Sequence, residues 1–121
     1  MTDFAFPLIE HIDELARYVP PGHSGTENRR LTDRAFCDGF ELVMGEVAPG
    51  GEAEPHHHDR EHQAMFVLSG QCTVTLGDEA PRRCGPGTIV RIPPTVDHHV
   101  RSDGDEPLRV LIVYSPPLPK R

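Results

Sequence analysis

The sequence predicts one all-β domain, because its size, its turn-forming residues and its patterning all favour short strands over long helices. The chain has 121 residues, which is enough for a single hydrophobic core. Its 13 prolines and 11 glycines interrupt helices and suit tight turns. After residue 36, short alternating or apolar segments recur, each bounded by Gly, Pro or Asp, as in an antiparallel sandwich or barrel.

Residues 1–35 are predicted to form an arm that belongs to the same domain. Within it, residues 9–18 (IEHIDELARY) have apolar residues at helical spacing, and Pro20 and Pro21 follow, so a short N-terminal helix is expected there. Residues 22–35 are polar and show no sustained period. This favours a surface loop or an irregular arm that could contain one edge strand.

Residues 36–121 are predicted to form the β-barrel from about eight strands. The expected strands are 40–47, 54–58, 63–68, 72–76, 81–84, 88–92, 98–101 and 108–114. Turn sequences such as Pro-Gly-Gly at 49–51 and Ser-Gly-Gln at 69–71 separate them. The proline-rich segment 115–120 closes the domain.

Composition excludes several classes of partner. The formal charge of −7 repels nucleic-acid phosphates and anionic membrane surfaces. Residues 110–114, the longest late apolar run, are too few to cross a bilayer, and the amino terminus lacks the pattern of a secretion signal. The odd, irregularly spaced set of Cys37, Cys72 and Cys84 favours a reducing compartment. We therefore expect a cytoplasmic protein whose partner is a small molecule.

Six of the eight histidines fall in two short windows, at 56–62 and at 98–99. Side chains alternate along a strand, so His56 and His58 share one face and His57 lies on the other. By the same rule, His99 lies on the face opposite that of His98. Two imidazoles on one face can chelate one ion, which needs three or four ligands in all. Neighbouring strands must supply the others, and Gln63 and His98 are the candidates.

The phase of the third predicted strand decides which residue completes this set. Gln63, Met65 and Val67 share a face. If Met65 and Val67 line the interior of the barrel as a pocket wall, Gln63 points at the metal and His62 points away. A β-bulge at the start of the strand would instead place His62 at the metal, and the sequence leaves that alternative open.

Two motifs carry a family resemblance. Residues 50–70, with the pattern G-x5-H-x-H-x4-Q-x6-G, resemble the first signature of the cupin superfamily, and residues 85–100 (GPGTIVRIPPTVDHHV) resemble its second signature. The resemblance implies a double-stranded β-helix, which is a jelly-roll barrel, with a metal in its mouth. Carried over by motif position, the ligands would be His56, His58, Gln63 and His98. It also implies a homodimer.

Gln63 departs from the glutamate that most of the superfamily has at this position. Small cupins with a glutamine ligand include uronate ring-opening proteins of pectin breakdown and some polyketide cyclases. A neutral amide leaves the ion its full charge of +2, which makes it a stronger Lewis acid at some cost in affinity. Three nitrogens and one oxygen suit one Zn, Ni, Fe, Mn or Cu ion per chain and do not choose among them.

Our first functional hypothesis is therefore a metal-dependent enzyme, isomerase-like or lyase-like. Its substrate would be a sugar acid or related hydroxy-carbonyl compound, and its chemistry Lewis-acid-assisted proton transfer. Arg91 and Tyr114 lie in predicted barrel strands, so an inward Arg91 could hold a carboxylate and an inward Tyr114 could donate a proton. Two alternatives stay open: an Fe(II)- and O2-dependent dioxygenase, and a non-catalytic domain that binds or senses a small molecule.

Overall fold

The structure, a computed structural model, describes residues 4–119, which form nine β-strands and one short 3-10 helix. The helix is Ile12–Glu14. The strands are β1 (Arg17–Tyr18), β2 (His23–Thr32), β3 (Glu41–His56), β4 (His62–Ser69), β5 (Cys72–Leu76), β6 (Arg82–Cys84), β7 (Ile89–Ile92), β8 (His98–Ser102) and β9 (Leu108–Ser115).

The strands form one sheet that curls into the predicted jelly-roll barrel. Its order is β6-β5-β8-β3-β9-β4-β7, with β2 beside β3 and β1 beside β2. The long strand β3 joins the two halves, because residues 41–47 pair with β9 and residues 52–56 pair with β8. This shared strand brings its carboxyl end, where the first histidine motif begins, next to the start of β8.

The core lies between the two halves of the sheet and consists of the inward-facing apolar side chains. Val43, Val67 and Leu108 are among its fully buried members. Cys72 is also buried there, and burial raises the pKa of its thiol to about 12. Cys37, Cys72 and Cys84 are all free thiols. No helix within residues 4–119 is both long and apolar enough to span a membrane.

The predicted helix over residues 9–18 is wrong beyond a single 3-10 turn. No residue of that turn is buried, Ile12 and Leu15 are only half-buried, and Ile9 is 93% exposed, so the apolar stripe buries too little surface to hold a longer helix. A helix this short is marginal in water without such packing. Instead, Arg17 and Tyr18 pair with Arg29 and Asn28 of β2.

The polar stretch 22–35 contains β2, which is ten residues long and pairs with β3 along its length. The sequence of this segment allowed one edge strand but favoured a loop, because it has no apolar alternation. The residues that face inward are polar ones, Thr26 and Asn28, and both are buried.

The two strands predicted at 40–47 and 54–58 form one strand, β3, which passes through the Pro-Gly-Gly sequence without reversing. Gly50 has a φ of +84°, and β2 and β3 shift register between Ser24 and Thr26. A Cβ on Gly51 would lie 2.6 Å from the carbonyl oxygen of Ser24, so only glycine allows this close approach. The glycines bend the strand from one half of the barrel into the other.

Candidate metal centre

Three histidines converge at one end of the barrel. His56 is the last residue of β3, His58 lies in the loop that follows, and His98 is the first residue of β8. His56 and His98 are register partners across the two strands. One ring nitrogen from each of the three lies within 4.8 Å of the other two. The structure thus brings together the imidazoles of both sequence motifs.

Backbone carbonyls fix the rings of His56 and His98 in the orientation that a metal ligand needs. The Nδ1 atom of His56 donates to the carbonyl of Glu54 at 2.7 Å, and that of His98 donates to the carbonyl of Val96 at 3.1 Å. Each ring therefore keeps the lone pair on Nε2 for another partner. His98 is 2% exposed, and its Nε2 makes no hydrogen bond to any residue between 4 and 119.

Burial also keeps His98 in the form that binds metal. Removal from water lowers the pKa of this imidazole to about 4, and the nearby rings of His56 and His58 act in the same direction. The hydrogen bond to Val96 opposes the shift without cancelling it. His98 is therefore neutral at pH 7, as a metal ligand must be.

The loop that carries His58 is held by the turn of the second motif. The backbone N–H of Thr95 donates to the carbonyl of His58 at 2.8 Å. Thr95 has a φ of +71°, a left-handed conformation that a β-branched residue rarely adopts. Strain of this kind persists where surrounding structure requires it, often at functional sites. The two motifs are thus joined through their backbones as well as through their histidines.

Gln63 faces the interior, and the neighbouring His62 is exposed. The pairing of β4 with β9 runs without a shift from His62 and Ser115 to Val67 and Val110, so no bulge occurs at the start of β4. Gln63 is 7% exposed, and its Oε1 has no hydrogen-bond partner among the described residues. This strand phase removes the alternative in which His62 occupies the inner position.

The donor set fits a divalent transition metal ion. Three imidazole nitrogens and a carboxamide oxygen are ligands that such ions take. A buried carbonyl oxygen without a partner costs roughly 1–3 kcal/mol, and a bound cation would remove that cost. Gln63, His56 and His98 line one cavity in the barrel. The residues present therefore suit the metal that the sequence motifs imply.

Of the other predicted site residues, Tyr114 and Met65 lie at this cavity. Tyr114 is buried on β9 opposite Gln63, and its ring centroid is 5.7 Å from that of His58. Met65 is buried two residues along β4 from Gln63. Val67 is fully buried in the core and is not a lining residue of the cavity.

Arg91 does not lie in the site, contrary to one of our predictions. It is exposed, because Val90 and Ile92 occupy the inner face of β7 and Arg91 shares the outer face with Ile89. Apolar residues stand on both faces of this strand, so the sequence pattern could not decide which face is inner. An arginine at this position cannot hold a substrate carboxylate inside the barrel.

Sequence reasoning missed three polar residues of β2 that line the same cavity: His23, Thr26 and Asn28. The ring centroid of His23 is 6.3 Å from that of His56, and its Nδ1 is 3.1 Å from the hydroxyl oxygen of Thr26. Inward-facing polar residues give no hydrophobic periodicity. Only the pairing of β2 with β3 reveals them.

Comparisons with known proteins agree with the fold and the motifs. A family model described as "Cupin domain" matches residues 43–114. The L-ectoine synthase of Bordetella petrii is 33% identical over 93 residues, which cover 75% of this chain and 68% of that protein. Protein SchB of Streptomyces halstedii is 31% identical over 107 residues, which cover 84% of this chain and 75% of that protein.

Among solved structures, the polyketide cyclase RemF from Streptomyces resistomycificus superposes with a TM-score of 0.81 and 27% sequence identity. The match covers 95% of this chain and 83% of that chain. The proteins to which this chain is similar therefore include enzymes.

Proposed function

The chain belongs to the cupin domain family, and from that premise we propose that it is a metal-dependent enzyme. We propose further that it acts on a small oxygenated molecule by Lewis-acid-assisted proton transfer. One observation carries the proposal: ring nitrogens of His56, His58 and His98 lie within 4.8 Å of one another. Two of these histidines, His56 and His98, line one cavity with Gln63, whose amide oxygen has no partner among the described residues.

His56, His58, His98 and Gln63 would hold the ion. A divalent ion held by four neutral donors keeps its full charge and polarises a substrate carbonyl or hydroxyl oxygen. The carbonyl oxygens of Glu54 and Val96 orient two of the rings, so the donor atoms are positioned before any ion binds. This arrangement favours isomerisation, hydration or ring closure over redox chemistry.

Tyr114 is the residue that we assign to proton transfer. Its buried phenol lies beside His58 and opposite Gln63, so its hydroxyl can reach a substrate oxygen in the cavity. Met65 and Ile112 supply apolar walls that exclude water, and this strengthens electrostatic interactions inside. The similarity to a polyketide cyclase supports a hydroxy-carbonyl compound as the substrate class.

The first experiment tests metal dependence and proton transfer together. Protein purified without an affinity tag is analysed for metal content. It is then incubated in D2O with a panel of hydroxy-carbonyl compounds, and NMR records exchange of the proton next to the carbonyl. We expect about one ion per chain and exchange that a chelator stops and the same metal restores, with or without oxygen. Absence of metal uptake, or turnover that requires O2, would overturn the proposal.

A matched pair of variants tests the role of the neutral ligand. Gln63→Glu should bind zinc about tenfold more tightly and lose exchange activity, because a carboxylate adds attraction and lowers the net charge of the centre. His62→Glu places the same charge on the adjacent exposed position and should change neither quantity by more than about twofold, because exposed charges are screened. Equal effects from both variants would contradict the assignment of Gln63.

A further inference from the structure

We infer that Asn28, together with Thr26, forms a second binding subsite inside the barrel, and that this subsite takes an uncharged hydroxyl or carbonyl group of the substrate. The inference rests on the proposed function in one respect: the histidine end of the cavity and this subsite would hold two parts of one molecule. It adds to that proposal the chemistry of the part that the metal does not bind.

The first observation is the state of the Asn28 side chain. It is 4% exposed in the middle of β2 and lines the same cavity as His56 and His98. None of the side-chain hydrogen bonds among residues 4–119 includes its amide. The polar atoms that are both sealed from water and unpaired do not include those of Asn28, so its amide is reached from the cavity and can pair with a group that enters there.

The second observation is the glycine opposite. Gly45 of β3 is the register partner of Asn28, and its backbone has no positive φ that would require glycine. A Cβ at this position would lie 3.0 Å from Oδ1 of Asn28 and 3.1 Å from a methyl group of Val110. Glycine in a strand interior weakens the strand and often marks a close approach. Here it keeps the space next to the amide open.

The lining of the cavity determines which group fits. A carboxamide offers two donors and one acceptor, so it can pair with a hydroxyl or a carbonyl. The lining residues within the described part of the chain include no lysine or arginine. Apart from three histidines and four uncharged polar residues, they are apolar residues or glycine. At the end of the cavity near Asn28, a carboxylate would lose its hydration without meeting a cationic side chain, whereas a neutral group loses less.

The size of the cavity limits what enters. Its volume is about 50 Å³, and one water needs roughly 10–15 Å³ by the same kind of measure. The space therefore admits one end of a molecule, with three or four non-hydrogen atoms. A substrate that also carries a carboxylate would keep it at the histidine end.

Three probes of equal size test this inference directly. Acetone, 2-propanol and acetate each have four non-hydrogen atoms and present a carbonyl, a hydroxyl and a charged group. Each is titrated into metal-free protein, in which no ion draws acetate to the histidine end, while NMR follows the side-chain amide signals of Asn28. We expect saturable shifts with acetone and 2-propanol and none with acetate. Shifts of equal size with acetate would overturn the inference.

Asn28→Leu separates a binding role from a structural one, because leucine has nearly the same shape and no polar atoms. We expect it to weaken 2-propanol binding about three- to tenfold, the range of one or two lost hydrogen bonds. We expect no lower melting temperature, because the variant removes no side-chain hydrogen bond within the described fold. Weaker binding in this variant is followed through the backbone amide signals of residues 26–28 and 45. A lower melting temperature with unchanged probe binding would contradict the inference.

Zinc titration of the same samples distinguishes the two proposals. Zinc binding with no response of Asn28 to any probe would remove the subsite and leave the metal centre. The expected probe responses with no zinc binding would remove the proposed metal-dependent function and leave the subsite.

Discussion

The six clustered histidines form two groups that are adjacent in sequence and different in environment. Each inner histidine brings a ring nitrogen within 4.8 Å of the other two, and the outer histidines do not join this cluster. The inner group is His56, His58 and His98, and the outer group is His57, His62 and His99.

The partners of the rings explain what each group can do. Carbonyl oxygens hold the Nδ1 atoms of His56 and His98, which leaves Nε2 of each ring for a metal. Both nitrogens of His57 instead contact carboxylates, Asp97 at 3.0 Å and Asp59 at 3.1 Å. The Nε2 of His99 is 2.6 Å from a carboxylate oxygen of Glu52. Residue type is the same in both groups. The groups differ because the ring nitrogens of the inner histidines converge on one point, whereas His57 and His99 pair with carboxylates away from it.

The largest difference in zinc affinity is expected between alanine variants of the neighbours His98 and His99. His98→Ala should weaken zinc binding more than about 100-fold, because losing a ligand costs more than losing a ligand's hydrogen-bond partner, which costs about 10- to 100-fold. His99→Ala removes only an outer contact to Glu52 and should change zinc affinity less than about threefold. Calorimetric titration with zinc measures both affinities.

Urea unfolding of the metal-free variants serves as the control for that comparison, since both must be folded for the affinities to be compared. A similar loss of zinc affinity in the two variants would mean that the faces of β8 do not separate ligand from surface residue.

Metal-free protein offers a second way to separate the groups, through the pH dependence of its stability. Burial lowers the pKa of His98 to about 4, below its ordinary value of 6.5. The unfolded chain therefore takes up this proton first as the pH falls, and the folded state loses stability between about pH 6.5 and pH 4. The loss from this one group reaches roughly 3 kcal/mol below pH 4.

Urea unfolding measured from pH 7 to pH 4 tests this expectation, with variants that assign the slope to its source. His98→Gln cannot take up the proton, so its stability should fall less over this range than that of the parent protein. Val100→Ala, on the same strand as His98, removes no titratable group and should leave the slope as it is. The same slope in the parent protein and in His98→Gln would contradict the assignment.

The same comparison shows why sequence predicted the inner histidines so well. The motif spacing predicted that His56 and His58 share a site, and the structure brings them together. Strand alternation is not the reason for His58, because β3 ends at His56 and the loop that carries His58 is held by Thr95. Gln63 does follow from alternation, because Met65 has to face the core. The long strand β3 could not be predicted, since a Pro-Gly-Gly sequence usually reverses the chain, and here the register shift beside β2 lets it continue.

Prediction failed where a pattern carried no information about which face is buried. Arg91 stands in a strand with apolar residues on both faces, so its outward direction depends on packing against β4. Thr26 and Asn28 are polar and inward, the reverse of the usual pattern, and only the pairing with β3 places them. A 3-10 turn at Ile12–Glu14 forms in place of the predicted helix because the apolar residues of this segment bury little surface.

The smallest change in zinc affinity is expected on substitution of His57. This substitution tests whether an outer histidine helps to position an inner one. Its bond to Asp97 joins the loop of His58 to the residue before His98. The two side chains are 48% and 68% exposed, so the pair contributes about 1 kcal/mol at most. His57→Ala should therefore weaken zinc binding no more than about fivefold, and His57→Gln, which can still donate a hydrogen bond, should weaken it less.

In 1 M salt the difference in zinc affinity between His57→Ala and the parent protein should shrink, since salt screens an exposed pair. His62→Ala is the matched control and should bind zinc as the parent protein does. A loss in His57→Ala as large as that in His98→Ala would mean that the outer histidines hold the metal as much as the inner ones do.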